Sequence, residues 1–266
     1  MSEAGWRWAS ASVQGTSHVV SGTECQDSHL CRELASGGGP ILLAFVSDGA
    51  GSASRSSTGS RMICDLMREQ AEQYFAEAGS ICEINSRLIA SWIERFRDEI
   101  IILAASEGIG DREFACTLLG AIVGSGMAAL FQIGDGAIVY SLGDGAEYVL
   151  AFWPERGEYE NTTYFATQAG FFAQLQFKLV EQQPVEIAML SDGLQRLALD
   201  YRSKGPHQPF FRGLFPHLSS RQRGELTDTS LQLSKYLDSS KINDRTDDDK
   251  TLVLATASAL ESVAHA

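Results

Sequence analysis

Three apolar runs in this 266-residue chain end in the same way. Leu42 to Val46 leads into Ser47-Asp48-Gly49, Leu130 to Ile133 into Gly134-Asp135-Gly136, and Ile187 to Leu190 into Ser191-Asp192-Gly193, so each run delivers a carboxylate at a strand end. Gln26-Asp27, ahead of another strand-like segment, and Asp247-Asp248-Asp249, ahead of the last one, bring the acidic stations to five. A lone Asp-Gly pair is a favoured type I′ hairpin turn, and Asp135-Gly136, between two strand-like runs, fits that bland role best. The residues after Asp48 and Asp192 read as loop and helix, so those two pairs do not turn hairpins. If packed sheets gather these strand ends at one rim, the carboxylates repel one another unless a cation neutralises them. Carboxylate and carbonyl oxygens, with no His or Cys at ligand spacing, form a hard donor set that suits Mg²⁺ or Mn²⁺ and disfavours Zn²⁺. Two such ions roughly 3.5–4 Å apart, bridged by a carboxylate and a water, make hydroxide at neutral pH and clamp a phosphate for in-line attack. Phosphoryl hydrolysis is the chemistry this pattern implies.

The elements that must position these residues are legible as two periods. Trp6 to Val13, Ser28 to Leu34 and Ile41 to Val46 read as strands with turn residues between them. From Ser54 to about Ala78, and again from Ser80 to about Ser106, apolar residues recur three and four apart, as in Met62 and Leu66 and then Leu88, Trp92, Phe96, Ile100 and Leu103. Two long helices follow from that spacing. Strands at Ala115 to Val123, Ala128 to Ile133, Ala137 to Leu142 and Glu147 to Phe152, joined by Gly-rich turns, read as an antiparallel meander. Val185 to Leu190 is a further strand, Leu194 to Leu237 carries helix-like stretches, and Thr251 to Ala255 closes the pattern. The expected fold is α+β, with helices covering packed antiparallel sheets, and no linker or repeat divides residues 1–266, which are expected to form one domain.

The chain carries 34 Asp+Glu against 21 Lys+Arg, a net charge of −13, so it should repel nucleic-acid phosphates and anionic lipid. No apolar stretch approaches the ~20 residues of a bilayer span, and the start Met-Ser-Glu does not resemble an export leader. A cytoplasmic monomer without nucleic-acid or membrane partners is expected. Cysteines at 25, 31, 64, 82 and 116 show no C-x-x-C pair and read as free thiols. A zinc site or a cysteine nucleophile is the less favoured alternative.

Taken in order, Gln26-Asp27, Asp48-Gly49-Ala50-Gly51, Ala115-Cys116-Thr117-Leu118, Ile133-Gly134-Asp135-Gly136, Ser191-Asp192-Gly193 and Asp248-Asp249-Lys250-Thr251 resemble the metal-dependent protein phosphatases of the 2C type. The resemblance is closest to bacterial members with Asp-Gly-Ala-Gly-Ser after the third strand. It implies a four-layer αββα sandwich of two antiparallel β-sheets flanked by helices, and hydrolysis of phosphoserine and phosphothreonine by a water activated by two Mn²⁺ or Mg²⁺ ions. By that resemblance Asp48 bridges both ions, the Gly49 carbonyl binds the second, and Asp192 and Asp248 complete the first. Asp27 then sits in the outer shell, Asp135 with Asp192 holds a third, weaker ion, and Asp249 competes with Asp248 for the direct ligand role. A phosphorylated protein is the implied partner, with a cognate Ser/Thr kinase acting in opposition.

Two departures from the family pattern stand out. The phosphate-gripping Arg ahead of Asp27 is replaced by Gly22, with no Arg or Lys from Trp8 to Glu24, and the His that follows the bridging Asp in many relatives is Ala50. His18 is the nearest basic side chain, set against the bland reading of a strand-end histidine, and Arg55 is a second substitute. The rival to an enzyme is a catalytically weak phosphatase-like module that binds a phosphoprotein or kinase. The segment from Gln195 to Asp247, with Phe210, Phe211, Phe215, Arg212, Arg221 and Arg223, reads either as a partner-choosing surface or as ordinary helical packing.

Overall fold

The computed structural model describes residues 5–124, 126–143, 145–154, 163–219 and 222–257. In chain order the elements are β1 (Trp6–Val13), α1 (Thr16–Ser21), β2 (Ser28–Leu34), β3 (Ile41–Ser47), α2 (Ser56–Ala76), α3 (Ser86–Glu107), β4 (Leu118–Gly124), β5 (Met127–Ile133), β6 (Ala137–Ser141) and β7 (Val149–Leu150). They continue with β8 (Gln176–Val180), β9 (Glu186–Leu190), α4 (Gln195–Ala198), β10 (Leu199–Asp200), β11 (Gly205–Pro206), α5 (Gln208–Leu214), β12 (Gly224–Glu225), α6 (Thr227–Leu237), α7 (Ser240–Asn243) and β13 (Lys250–Ala257).

Two sheets carry the site. One runs β12-β1-β13-β9-β6-β7 and the other β2-β3-β4-β5-β8, antiparallel throughout except for the short parallel pairing of β1 with β12. β3 and β4 are buried along their whole lengths and read as near-continuous apolar runs because both faces are covered. Leu42, Ala44 and Val46 face Leu119, Met189 and Val253 between the sheets. Leu43 and Phe45 face the other way, onto Ile63, Met67, Trp92 and Phe96 of α2 and α3. The opposite helical layer, α4 to α7, packs Phe211, Leu233, Leu237 and Ile242 on Val139, Leu190 and Leu254. Helix, sheet, sheet and helix make the expected four-layer sandwich.

Both long helices form where the apolar spacing places them. α3 is capped by the Asn85 side chain, which accepts from the Arg87 and Leu88 amides at 3.0 and 3.2 Å. It ends at Gly108 in the left-handed region, φ 69°. α3 begins six residues later than expected, because Ile81–Glu83 forms a separate 3₁₀ turn.

Two expectations are corrected, one strand was not anticipated, and one open alternative is narrowed. The four strands after Asp111 are not one meander: β4 and β5 lie in one sheet, β6 and β7 in the other. Asp135-Gly136 is therefore a crossing between sheets rather than a hairpin. Gly134 makes the crossing possible, at φ 104° and packed so tightly that a Cβ would lie 2.7 Å from the Thr117 Cβ. β8 was not anticipated, although Gln176-Phe177-Lys178-Leu179 alternates as a half-buried edge strand does. In the Gln195 to Asp247 segment, Phe211 and Phe215 are core residues, 0% and 4% exposed, not surface aromatics; Arg223 pairs with Glu33, and Arg221 lies outside the described residues. No described helix is long and apolar enough to cross a membrane.

Candidate active site

Register brings the acidic stations together. Ser28 pairs with Ser47, so Asp27, entering β2, and Asp48, leaving β3, emerge side by side. In the other sheet Leu252 pairs with Leu190, and Leu190 with Ala137. That register aligns the approach to β13 with the exit of β9 and the sheet crossing at Asp135. Asp48, Asp135, Asp192 and Asp248 all line one cavity of about 820 Å³, together with His18, Gln26, Gly49 and Thr117. Asp27 lies just beneath, 6% exposed.

Hydrogen bonds fix each station. The Asp48 amide donates to Thr117 Oγ1 at 2.9 Å, and the Thr117 amide donates back to the Asp48 carbonyl at 2.8 Å, which ties the segment Ala115-Cys116-Thr117-Leu118 to the acidic site. Asp27 Oδ2 accepts from Ser191 Oγ at 2.7 Å, and Ser191 Oγ accepts from the Thr251 amide at 2.9 Å. Asp135 Oδ2 accepts from Thr163 Oγ1 at 3.0 Å, while its carbonyl accepts from Gln195 Nε2. Gly49 is pinned where a Cβ would lie 2.7 Å from the Gln26 carbonyl oxygen, and a Cβ at Gly193 would overlap the Asp249 carbonyl.

The two neighbouring acids before β13 are placed differently. Asp249 is 3% exposed, and both of its oxygens are taken: Oδ1 accepts from the Gly15 amide and Oδ2 from the Gln26 amide, each at 2.6 Å. Asp248 faces the cavity and, among the described residues, accepts only its neighbour's amide, at 2.9 Å. His18 Nδ1 lies 2.9 Å from Asp249 Oδ1 but off the hydrogen-bonding direction. Among the described residues it is the sole basic side chain lining the cavity. Arg55 is not available there, being held in a two-pronged pair with Glu107 at 2.6 and 2.8 Å at the end of α3. Gly22 caps α1 at φ 72°.

Crowded negative charge marks the electrostatics. Burial pushes the Asp27 carboxyl up to about 7 and the Asp192 carboxyl to about 6, with Asp249 adding to the first and Asp135 and Asp248 to the second. Burial, then Asp27 and Asp192, hold Asp48 well above the usual carboxylate range, and burial raises Asp248. Each keeps a proton more readily than a free carboxylate, and a divalent cation is the natural replacement for those protons. Asp27 Oδ1 and Gln26 Oε1 are buried here without a protein partner, and the donors are all oxygens, as a hard cation requires. Among the described residues no three His, Cys, Asp or Glu side chains already stand as a finished coordination set. All five thiols are free, but among the described residues none lines the acidic cavity, and burial pushes Cys25 and Cys116 up to about 12, far from a reactive thiolate.

Comparison with known proteins agrees with the geometry. Residues 14–238 match the Protein phosphatase 2C family, a stretch that holds Asp27, Asp48, Asp135 and Asp192 and stops short of Asp248. Serine/threonine-protein phosphatase 3 of Escherichia coli K12 is 34% identical over 255 residues, covering 94% of this chain and 98% of that protein. The fold is shared with the catalytic domain of the serine/threonine protein phosphatase PstP, solved with two manganese ions (TM-score 0.62, 15% identity, 96% and 99% of the two chains). It is also shared with PppA of Pseudomonas aeruginosa (TM-score 0.59, 18% identity, 96% and 99%). The chain belongs to the protein phosphatase 2C family and is a phosphoprotein phosphatase of the serine/threonine type.

Proposed function

We propose that this enzyme hydrolyses phosphoserine and phosphothreonine in proteins at the acidic rim, with two Mn²⁺ or Mg²⁺ ions as its cofactor and residues 1–266 acting as one domain. When bound, two such ions lower the pKa of a water between them and neutralise charge on the phosphoryl group. The observation that carries this reading is the convergence of Asp48 with Asp192 and Asp248 on one cavity from strand ends of both sheets.

Asp48 would be the ligand the two ions share, with the Gly49 carbonyl, Asp192 and Asp248 completing their donor set, and Asp135 with Asp192 would hold a third, weaker ion. Asp27 orients the outer shell through its unpartnered Oδ1, held in place by Ser191. Asp249 is assigned a structural role, because both of its oxygens already accept backbone N–H bonds. His18 takes the place of the missing guanidinium and contacts the substrate phosphate from α1.

Calorimetric titration of Mn²⁺ tests the ligand assignment. Wild type and Asp249→Asn should bind the ion, while Asp48→Asn and Asp248→Asn should lose the tight phase. Equal binding by all four proteins would overturn it.

A further inference from the structure

A second cavity, of about 580 Å³, lies on the far face of the β12-β1-β13-β9-β6-β7 sheet, beneath the α4 to α7 layer. That volume falls within the roughly 300–1,000 Å³ typical of small-molecule sites. Its floor is Ala9 of β1 and Leu254 of β13, and its walls are Phe210, Leu214, Leu233 and Ile242. The aromatic segment from Phe210 onward thus builds a cavity wall rather than a protruding surface.

The charge pattern is unusual for this molecule. Among the described residues four basic side chains, His207, His217, Lys241 and Arg245, line the cavity and no Asp or Glu does, although acids outnumber Lys and Arg by 34 to 21 in the chain. Among the described residues Lys241 and Arg245 make no ion pair, and both are exposed at the rim. An apolar interior gains from removing hydrocarbon from water, and two unpaired cations at its mouth favour an anionic head group. A cationic or neutral amphiphile would leave those charges unanswered. A phosphoprotein at the acidic rim has no use for a hydrocarbon-lined site on the opposite face of the sheet.

We propose that this cavity is a binding site for a medium-chain alkyl carboxylate, its tail against Phe210, Leu214, Leu233 and Ile242 and its head group at Lys241 and Arg245.

Gly213 supplies a clean test. It lines the cavity within α5, a Cβ there meets nothing within 4 Å, and its φ lies outside the left-handed region, so Gly213→Phe fills the space without straining the backbone. Calorimetry with decanoate below its micellar concentration should show saturable binding to the wild type. Lys241→Gln combined with Arg245→Gln should weaken it roughly tenfold to a hundredfold. Gly213→Phe should abolish it, with melting temperature and phosphate-ester turnover retained. Decyltrimethylammonium should bind far more weakly than decanoate. No saturable decanoate binding, affinity unmoved by both variants, or equal affinity for the cationic amphiphile would each overturn the proposal.

Discussion

Ser191 Oγ donates to Asp27 Oδ2 at 2.7 Å, a contact between residues 164 apart that ties the exit of β9 in one sheet to the entry of β2 in the other. The same oxygen accepts from the Thr251 amide, so one hydroxyl joins three strands at the base of the acidic rim. Ser191→Ala leaves a buried carboxylate short of a donor and a buried amide short of an acceptor. It should cost about 1–3 kcal/mol of stability, read as a lower midpoint in urea, and should raise the Mn²⁺ concentration needed for half-maximal turnover.

The adjacent acids Asp248 and Asp249 should separate cleanly. Asp249→Ala removes the acceptor for two backbone N–H groups and should destabilise by about 3 kcal/mol, since bonds to a charged acceptor contribute roughly 1.5–3 kcal/mol each. Asp248→Asn, at a side chain open to the cavity whose charge the site disfavours, should not lower the stability of the metal-free protein and should lose metal-dependent turnover. Chemical denaturation beside a turnover assay distinguishes the two.

Asp48→Asn should lose nearly all turnover while the protein stays folded. Asp27→Asn, acting one shell out, should lose about 10–100-fold, and Asp135→Asn should be partly rescued by raised Mn²⁺. Initial rates across an Mn²⁺ series give the ranking directly.

On the proposed reading, Gly22 stands where the resemblance implies an arginine, and the ions and His18 would hold the phosphate. His18→Ala should raise KM for phosphate esters with little change in kcat. Gly22→Arg should not restore tight binding, because φ 72° places a side chain in the left-handed region at about 1–2 kcal/mol, even though a Cβ there meets nothing within 4 Å. A lower KM in Gly22→Arg would contradict this.

His29 gives a pH signature. Its ring lies behind the rim, Nδ1 2.8 Å from Ser12 Oγ, and burial lowers its pKa from 6.5 to about 4. The folded state therefore resists a proton that the unfolded state accepts, so this contribution is complete above pH 6.5 and is lost as pH falls towards 4. The loss amounts to about 3 kcal/mol at its limit. The raised carboxylates at the rim act in the opposite sense over the same range, so the effect is read as the difference between wild type and His29→Asn. That difference should move against the wild type on acidification from pH 6.5 to 4.5, measured by urea denaturation.

The carboxylates were legible because Asp48, Asp135 and Asp192 end apolar runs while Asp27 and Asp248 stand just ahead of strands, and strand ends in a layered fold gather at one rim. What decided between Asp248 and Asp249 was not legible, because adjacent identical side chains differ only in which distant amides reach them, here Gly15 and Gln26. α1 was hidden for a related reason: none of its six residues is buried, so it carries no apolar period to announce the helix that presents His18. The crossing at Gly134-Asp135-Gly136 has the local chemistry of a hairpin turn, and only the pairing of Ala137 with Leu190 in the other sheet reveals its course. Phe211 and Phe215 read equally as surface or packing because Arg212 and Gly213 lie between them, whereas Phe211 on α5 and Phe215 in the 3₁₀ turn after it both pack on Tyr148.

Turnover of p-nitrophenyl phosphate and of a phosphothreonine peptide, with Mn²⁺ titrated into chelator-treated protein, tests the two-ion reading most directly. Activity should be absent in excess chelator and return with Mn²⁺ for wild type, and should fail to return for Asp48→Asn. Full activity in excess chelator, or no activity on either substrate at saturating Mn²⁺, would contradict it.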